Sequence, residues 1–437
     1  MKGMKPFWIV FCIIILFKLS CLEAKRSLFD LNSQSPSSLV TINALVSVST
    51  VSTPTFSNLS GHFLAPAYLT ISTTTAGATI YYTNDGSDPT TSSKLYTAPI
   101  HVWFLAGKTI KAIGIKSGMR NSNISTNNTE FSYSPLKSGQ TLCYNSTIAI
   151  ACPGNSDDGA TQLGVARSYT DNGDGTVTDT ATGFLWQKCS LGLSGTNCAS
   201  GTILSLDWAT AQTSCSALTT ADKIWRIPTR YELETLPDFS LFNPAINGIS
   251  FPATDTIQYW SATEFVGNTA NAWVIIFNVG SLNLSLKSNS NRVRCVSGDV
   301  QASFVKFVDN GDGTIKDKQT GLTWQKCSIG QNNDSTCSGT ASTVNWLTAL
   351  TSCSGLSLAG KTWRLPSIKE LETIIDTTVS VPPINTTFFP STPTANYWSS
   401  TTLASATAGA WAGNFNNGAV GGPGKGGTSQ VRCVTGP

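Results

Sequence analysis

The chain has 437 residues, of which 40% are hydrophobic and 12% charged, and its formal net charge is +3. This length predicts three or more domains. Residues 1–21 hold three of the 28 basic residues and none of the 25 acidic ones, so the remainder is formally neutral with 25 of each. A protein built on phosphate contacts shows a basic surplus, and we therefore expect no nucleic-acid partner.

The N-terminus has the pattern of an export signal. Two lysines precede an apolar run over residues 7–17, which is too short to span a bilayer. The following Leu19-Ser20-Cys21 resembles a bacterial lipobox, which implies a lipid anchor on Cys21 and a place at the outer membrane or cell surface; ordinary cleavage nearby is the alternative. Residues 22–53 are rich in serine and threonine and predict a flexible tether.

Residues 54–134 predict a small antiparallel β-sandwich, because short β-type runs such as Thr79–Thr83 and Thr109–Ile115 alternate with turns. The run Ile80-Tyr-Tyr-Thr-Asn-Asp-Gly-Ser-Asp-Pro-Thr90, followed by Tyr96-Thr-Ala-Pro-Ile100, closely resembles the chitobiase/β-hexosaminidase C-terminal-type domain. That resemblance implies an immunoglobulin-like accessory module without catalytic residues, which acts as a spacer or makes weak carbohydrate contacts.

Residues 135–165 are interpreted as a linker that carries a small hairpin closed by a disulfide between Cys143 and Cys152. Ten cysteines follow Cys21, two here and four in each of two repeats, and even numbers in an exported chain predict disulfides. No Cys-x-x-Cys occurs, so zinc or redox chemistry has no support. The two histidines, His62 and His101, are interpreted as ordinary surface or core residues.

Residues 166–298 (copy 1) recur as residues 302–437 (copy 2) at an offset of 138. A period this long describes two whole domains in tandem. Trp225-Arg-Ile-Pro-Thr-Arg-Tyr-Glu-Leu-Glu-Thr-Leu236 returns as Trp363-Arg-Leu-Pro-Ser-Ile-Lys-Glu-Leu-Glu-Thr-Ile374, and each contains the Ser/Thr-x-x-Glu capping box of a short helix. We expect Trp225 to pack on the apolar stripe of that helix as a core residue.

Each copy opens with Asp-Asn-Gly-Asp-Gly-Thr, at 171–176 and 309–314, and an aspartate three residues later. The glycines favour a tight hairpin turn. Clustered carboxylates leave calcium as the alternative, although the spacing does not fit an EF-hand. The candidate calcium ligands are Asp171, Asp174, Asp179, Asp309, Asp312 and Asp317. No other cofactor is expected.

A second helix is predicted before the capped one, because Trp208, Gln212, Cys215 and Leu218 share one face at helical spacing. The order of a hairpin, two helices, a long irregular loop and closing strands that end in cysteine resembles the C-type-lectin-like fold. The motifs TDNGDGTVTDTATGFLWQ, WRIPTRYELETL, YWSAT and RVRCV resemble, more specifically, the Lcl C-terminal-type domain. The fold class is therefore β-rich and multidomain, with a sandwich followed by two α+β lectin-like domains.

The resemblance implies cell-surface adhesion and binding of sulfated glycosaminoglycans. It also implies disulfides that join the first helix to the last strand, Cys215 with Cys295 and Cys353 with Cys433. Cys189 with Cys198, and Cys327 with Cys337, would then close local loops.

We therefore expect a surface binding protein that recognises glycans or host matrix proteins. A secreted carbohydrate-processing enzyme, or its non-catalytic accessory subunit, is the alternative, and it is disfavoured because residues 135–437 contain no histidine and the even cysteine count leaves no spare thiol. Recognition is expected on the loops 238–258 and 376–396 and on the segments before each last cysteine. Lys287 and Lys425 are the candidate ligand-binding residues there, with Lys425 expected to be exposed. The specific ligand and the oligomeric state stay open.

Overall fold

The structure is a computed structural model that describes residues 48–127, 131–298 and 307–437, and residues 49–437 form one compact unit. The predicted signal, the lipidation site Cys21 and most of the tether lie outside the described residues. In the described ranges, no helix has both the length and the apolar character needed to cross a membrane.

The N-terminal part is a small β-structure. Its strands are β1 (Thr55–Phe56), β2 (Gly61–Phe63), β3 (Tyr68–Leu69), β4 (Ile71–Ser72), β5 (Thr79–Thr83), β6 (Lys94–Leu95), β7 (Ile100–His101), β8 (Ile110–Ile115), β9 (Ser125–Asn127) and β10 (Phe131–Tyr133). Four of them form an antiparallel sheet in the order β6-β5-β8-β9, and the others pair in twos, with β2 and β10 parallel. Alternating residues of β8 are buried, as expected of a strand that covers a core. We call residues 49–134 the sandwich.

The linker is ordered and short of regular structure. Strands β11 (Cys143–Tyr144) and β12 (Ala149–Ile150) form the predicted disulfide-closed hairpin, and helix α1 (Asp158–Thr161) follows it. The side chain of Asp157 caps this helix and also accepts a hydrogen bond from the amide of Tyr144 at 2.7 Å. The hairpin is therefore tied to the helix by its own sequence neighbours.

Each copy has the predicted hairpin and both predicted helices. Copy 1 contains β13 (Tyr169–Asp171), β14 (Thr176–Asp179), β15 (Leu185–Gln187), β16 (Leu193–Ser194), β17 (Ser200–Gly201), α2 (Trp208–Ser216), β18 (Trp225–Arg226), α3 (Arg230–Leu233), β19 (Gln258–Glu264), β20 (Asn271–Ile276), β21 (Ser281–Leu286) and β22 (Val296–Ser297). Copy 2 contains β23 (Phe307–Asp309), β24 (Thr314–Asp317), β25 (Thr323–Gln325), α4 (Trp346–Ser354), α5 (Ile368–Glu372), β26 (Asn396–Thr402), β27 (Ala410–Asn414), β28 (Val420–Gly421) and β29 (Val434–Thr435). The whole chain is thus β-rich, with short helices.

The capping box is confirmed and explains the repeated motif. Thr229 accepts a hydrogen bond from the amide of Glu232, and the Glu232 carboxylate accepts one from the amide of Thr229 at 2.8 Å. Arg226 of the same motif donates two hydrogen bonds of 2.6 Å to that buried carboxylate. Copy 2 repeats the arrangement. A bidentate arginine fixes a carboxylate in direction as well as position, so the motif is a helix start locked by charge.

All five disulfides connect the predicted partners. They join Cys143 to Cys152, Cys189 to Cys198, Cys215 to Cys295, Cys327 to Cys337, and Cys353 to Cys433. The two long links, each spanning 80 positions, tie the first helix of a copy to its final strand region.

The expected packing of Trp225 is wrong. Leu233 and Leu236 of the capped helix lie in the large central core, whereas Trp225 lies in a separate core with Cys215 and Trp260. The tryptophan therefore packs beside the first helix and its disulfide, and Trp363 does the same in copy 2. Its indole nitrogen donates to the carbonyl of Thr220 at 2.9 Å, which satisfies the one polar atom of the ring.

The two copies share a single six-stranded sheet in the order β19-β20-β21-β28-β27-β26. The junction is the antiparallel pairing of Leu282 in β21 with Val420 in β28. The central core is continuous across it, because buried residues of both copies belong to one cluster. Phe239 of copy 1 packs edge-on against Trp411 of copy 2, with ring centroids 4.8 Å apart. The tandem copies are thus fused, and each covers a strand edge of the other.

Candidate functional site

The Asp-Asn-Gly-Asp-Gly-Thr segments form the predicted tight turns between β13 and β14 and between β23 and β24. In copy 1, Asp171 forms an ion pair with Lys188 at 2.6 Å, which holds the pKa of its carboxyl below the usual range. Asp174 accepts hydrogen bonds from Thr176, and Asp179 is buried and accepts hydrogen bonds from the next turn. The three carboxylates therefore serve three separate local purposes.

The aspartates of copy 2 repeat this division. Asp309 pairs with Lys326 at 2.9 Å, Asp312 accepts from Thr314, and Asp317 is buried. Among the described residues, no group of three or more His, Cys, Asp or Glu side chains could hold a metal ion. The calcium alternative therefore has no site in this structure.

The expectation that Lys425 is exposed is wrong. Its side chain is 2% exposed, its Nζ lies 4.0 Å from the ring centre of Trp346, and the same Nζ donates to the carbonyl of Asn145 in the linker hairpin at 2.9 Å. Burial lowers the pKa of Lys425 to about 8. The glycines around Lys425 let the hairpin approach closely, and the sequence alone contains no sign of that cover.

Lys287, the equivalent residue of copy 1, remains accessible. Its side chain is 23% exposed and pairs with Glu264 at 2.7 Å, while its Nζ lies 4.2 Å from the ring centre of Trp208. Of the two predicted lysines, only this one can meet a ligand in the folded protein.

The predicted loops 238–258 and 376–396 are anchored from within. Phe239, Ile246 and Phe251 of the first loop are buried, and so are Ile384 and Phe389 of the second. Exposed apolar residues are nevertheless present on both loops. They are Leu241, Phe242, Ile249 and Ile257 in copy 1 and Val379 and Val381 in copy 2. Whether these loops contact a ligand stays a prediction.

A charged cluster joins the copies below the sandwich. Arg230 pairs with Glu234, donates to the carbonyl of Gly418 in copy 2 at 2.9 Å, and lies over the ring of Trp273. Lys369 of copy 2 donates to the main-chain carbonyl of Glu234 and pairs with Glu372 at 3.0 Å. The carbon stem and buried setting of these cations place them at the fused interface.

The two carboxylates of this cluster, Glu234 and Glu372, line a small cleft that is shared with Trp103 and Tyr231. Burial raises the pKa of Glu372 to about 7, a value suited to a proton donor. A pair of carboxylates is also what glycoside hydrolysis needs. The cleft, however, holds about 60 Å³, enough for a few water molecules and well below the roughly 300 Å³ at which ligand pockets begin. Its charges are therefore assigned to joining the copies.

A larger pocket of about 330 Å³ lies between the sandwich and copy 1. Its walls carry the rings of Tyr68, Tyr82 and Tyr96, with Leu95 and Thr178 beside them. Tyr68 and Leu95 are exposed, and Tyr82 meets Tyr96 edge-on with centroids 6.5 Å apart. Aromatic rings offer flat apolar faces, and tyrosine and threonine add hydroxyl groups. The pocket thus has the size and chemistry of a site for a small polar ligand with an apolar face, such as a sugar ring. We call it the tyrosine pocket.

The sandwich is seated on equivalent turns of the two copies. Gly183 and Gly321, 138 positions apart, both have positive φ, and a Cβ at Gly183 would lie 2.9 Å from the Cβ of His101. A Cβ at Gly321 would lie 2.5 Å from Nδ1 of His62. Both histidines of the chain therefore stand at the sandwich contacts, and His101 also lines the tyrosine pocket. Spacing arguments could not relate them, because each contacts a different copy.

These features define a β-rich multidomain protein whose modules are fused into one scaffold. Residues 175–297 and 313–435 match the Lcl C-terminal domain, and these two segments cover more than half of the chain. The protein therefore belongs to the Lcl C-terminal domain family, with two copies of the domain. Residues 58–126 match the chitobiase/beta-hexosaminidase C-terminal domain. No curated protein matches the chain. The two domain families suggest a carbohydrate-related surface or accessory protein.

Proposed function

We propose that the protein is an exported, lipid-anchored surface binding protein that recognises glycans or extracellular-matrix components, with the tyrosine pocket as a contact site. The observation that carries the proposal is that pocket: three tyrosine rings around about 330 Å³ of open space, in a module of a carbohydrate-related family. The export pattern and Leu19-Ser20-Cys21 support the anchor. The adhesion role rests on the two Lcl C-terminal domains.

We also infer that each copy has the C-type-lectin-like fold. Two helices, a long loop anchored by buried aromatic residues, and a disulfide from the first helix to the final strand region support this inference. A rigid frame of this kind leaves its loops to bind, and that is the part the loops 238–258 and 376–396 have in this proposal. The hydrolase alternative gains no specific support, because Glu234 and Glu372 are engaged in the interface between the copies.

The binding proposal is tested with the mature, oxidised chain on a panel of sulfated glycosaminoglycans, neutral and amino-sugar oligosaccharides, and purified matrix proteins. Tyr68→Ala and Tyr96→Ala are expected to weaken binding of the recognised glycan by about tenfold each, since each removes one aromatic face. Tyr81→Ala is the matched control, because Tyr81 and Tyr82 point to opposite faces of β5. No binding to any member of the panel by a folded protein, or equal losses in all three variants, would contradict the proposal.

The anchor is tested separately by mass spectrometry of the exported protein and by membrane fractionation. Lipid on Cys21, and its loss together with membrane association in Cys21→Ser, is the expected result. A soluble secreted chain cleaved elsewhere would overturn the anchor and leave the glycan proposal to its own test.

A further inference from the structure

Copies 1 and 2 have the same tryptophan and lysine face, built on the same backbone. The amide of Trp208 donates to the carbonyl of Lys287 at 3.0 Å, and the amide of Trp346 donates to that of Lys425 at 3.2 Å. The indole nitrogens of the two tryptophans donate to the carbonyls of Ser261 and Ser399, both at 2.8 Å. Every one of these pairs is related by the offset of 138, so the two faces are equivalent positions of one domain.

The chain itself occupies the face of copy 2. Lys425 lies between the rings of Trp346 and Tyr144, at 4.0 and 5.2 Å, and donates to the main-chain carbonyl of Asn145. Along the edge strand β26, the side-chain amide of Gln140 pairs with both main-chain groups of Thr402, accepting at 2.7 Å and donating at 2.9 Å. The linker hairpin is therefore held like an added strand with one aromatic anchor.

Copy 1 presents the same face without that cover. Trp208 is half-buried where Trp346 is fully buried, and the Lys287 side chain is 23% exposed where Lys425 is 2% exposed. In place of Thr402, copy 1 has Glu264, which is 47% exposed and pairs with Lys287. An exposed ion pair of this kind contributes little and is readily exchanged for a better partner. Strand β19, which carries Glu264, is the other free edge of the shared sheet.

We propose that the face of copy 1 formed by Trp208, Lys287 and the edge of β19 at Glu264 is a docking site for a hairpin of a partner protein. The hairpin would present an aromatic ring next to a free main-chain carbonyl, as Tyr144 and Asn145 do on copy 2. The lysine supplies a cation for the ring and a donor for the carbonyl, and the strand edge supplies main-chain groups. The partner is a separate protein, since the chain's own hairpin is already bound to copy 2. This site is distinct from the tyrosine pocket and does not depend on glycan binding.

The probe is a synthetic, disulfide-closed peptide of residues 138–158, added to the full mature protein and followed by fluorescence anisotropy. We expect one peptide to bind per chain, with affinity lowered about tenfold or more by Lys287→Glu. Lys223→Glu makes the same charge change at another exposed lysine of copy 1 and is expected to leave the affinity unchanged. Melting temperatures of the variants verify that each is folded.

A second variant tests the site by gain of affinity. Glu264→Thr gives copy 1 the residue found in copy 2 and frees Lys287, so it is expected to bind the peptide several-fold more tightly. The absence of peptide binding to both wild type and Glu264→Thr would overturn the proposal. Binding that is insensitive to Lys287→Glu would also overturn it, because the peptide would then have displaced the chain's own hairpin from copy 2.

Discussion

Leu282 and Val420 are paired across antiparallel strands, and they are the same position of the two copies, 138 residues apart. When a position pairs with its own equivalent, a local two-fold axis passes through the pair. The contact is thus the kind that joins the subunits of a symmetric dimer, here made within one chain. It follows that neither copy is complete by itself.

An isolated copy 2, residues 302–437, is expected to self-associate. Removal of copy 1 uncovers the edge of β28 and the Trp411 ring that Phe239 covers, and both an open strand edge and an apolar patch favour association. Size-exclusion chromatography with light scattering distinguishes the outcomes, with residues 49–437 as the monomeric reference. A stable monomer of the isolated copy would show that the shared sheet is not needed.

The contact between the copies should dominate stability. Phe239→Ala is expected to lower the free energy of unfolding by about 3–5 kcal/mol, because it leaves a cavity in the shared core. Phe242→Ala, three positions along on the same loop and 54% exposed, is expected to change it by less than about 0.5 kcal/mol. Urea unfolding followed by tryptophan fluorescence measures both. Equal effects of the two substitutions would contradict the assigned packing.

Local chemistry could be predicted from the sequence, and contacts between distant segments could not. The capping box of Thr229 and Glu232 and the hairpin at Asp171 depend on residues a few positions apart, which interact in any fold that forms the turn. The cover over Lys425 comes from Asn145, 280 positions away. Trp225 was assigned to the wrong helix because a motif places residues along the chain, not in a core.

The two classes of disulfide should differ in their contribution. Chain entropy gives about 4.5 kcal/mol for a link that closes 80 residues and about 2.6 kcal/mol for one that closes 9. The pair Cys215→Ala and Cys295→Ala should therefore lower the melting temperature more than the pair Cys189→Ala and Cys198→Ala. Differential scanning calorimetry of the two double variants provides the comparison. The reverse order would indicate that the local loops carry the fold.

Acid should weaken the seating of the sandwich through His101. Burial lowers the pKa of His101 to about 4, whereas an unfolded histidine titrates near 6.5. The stability that depends on the neutral ring is therefore complete above pH 6.5 and is lost as the pH falls towards 4, by about 3 kcal/mol. Burial raises the pKa of Asp158 and Asp179 to about 6, which acts in the opposite direction over the same range.

The comparison that isolates the histidine is wild type against His101→Gln, since both proteins keep the two aspartates. The stability of wild type relative to this variant is expected to fall by about 3 kcal/mol between pH 7.5 and pH 4. Urea unfolding at the two pH values measures the difference. A difference that does not change with pH would mean that the ring is not held neutral by burial.

The central claim is that the linker hairpin covers copy 2 and leaves the equivalent face of copy 1 open. Lysine acetylation of the native protein, read by mass spectrometry over time, tests it at Lys287 and Lys425 directly. Because the pKa of Lys425 is lowered to about 8, an accessible Lys425 would react faster than an ordinary lysine, so protection can come only from burial. The account predicts rapid modification of Lys287 and modification of Lys425 only after unfolding. Equal or faster labelling of Lys425 in the folded protein would contradict it.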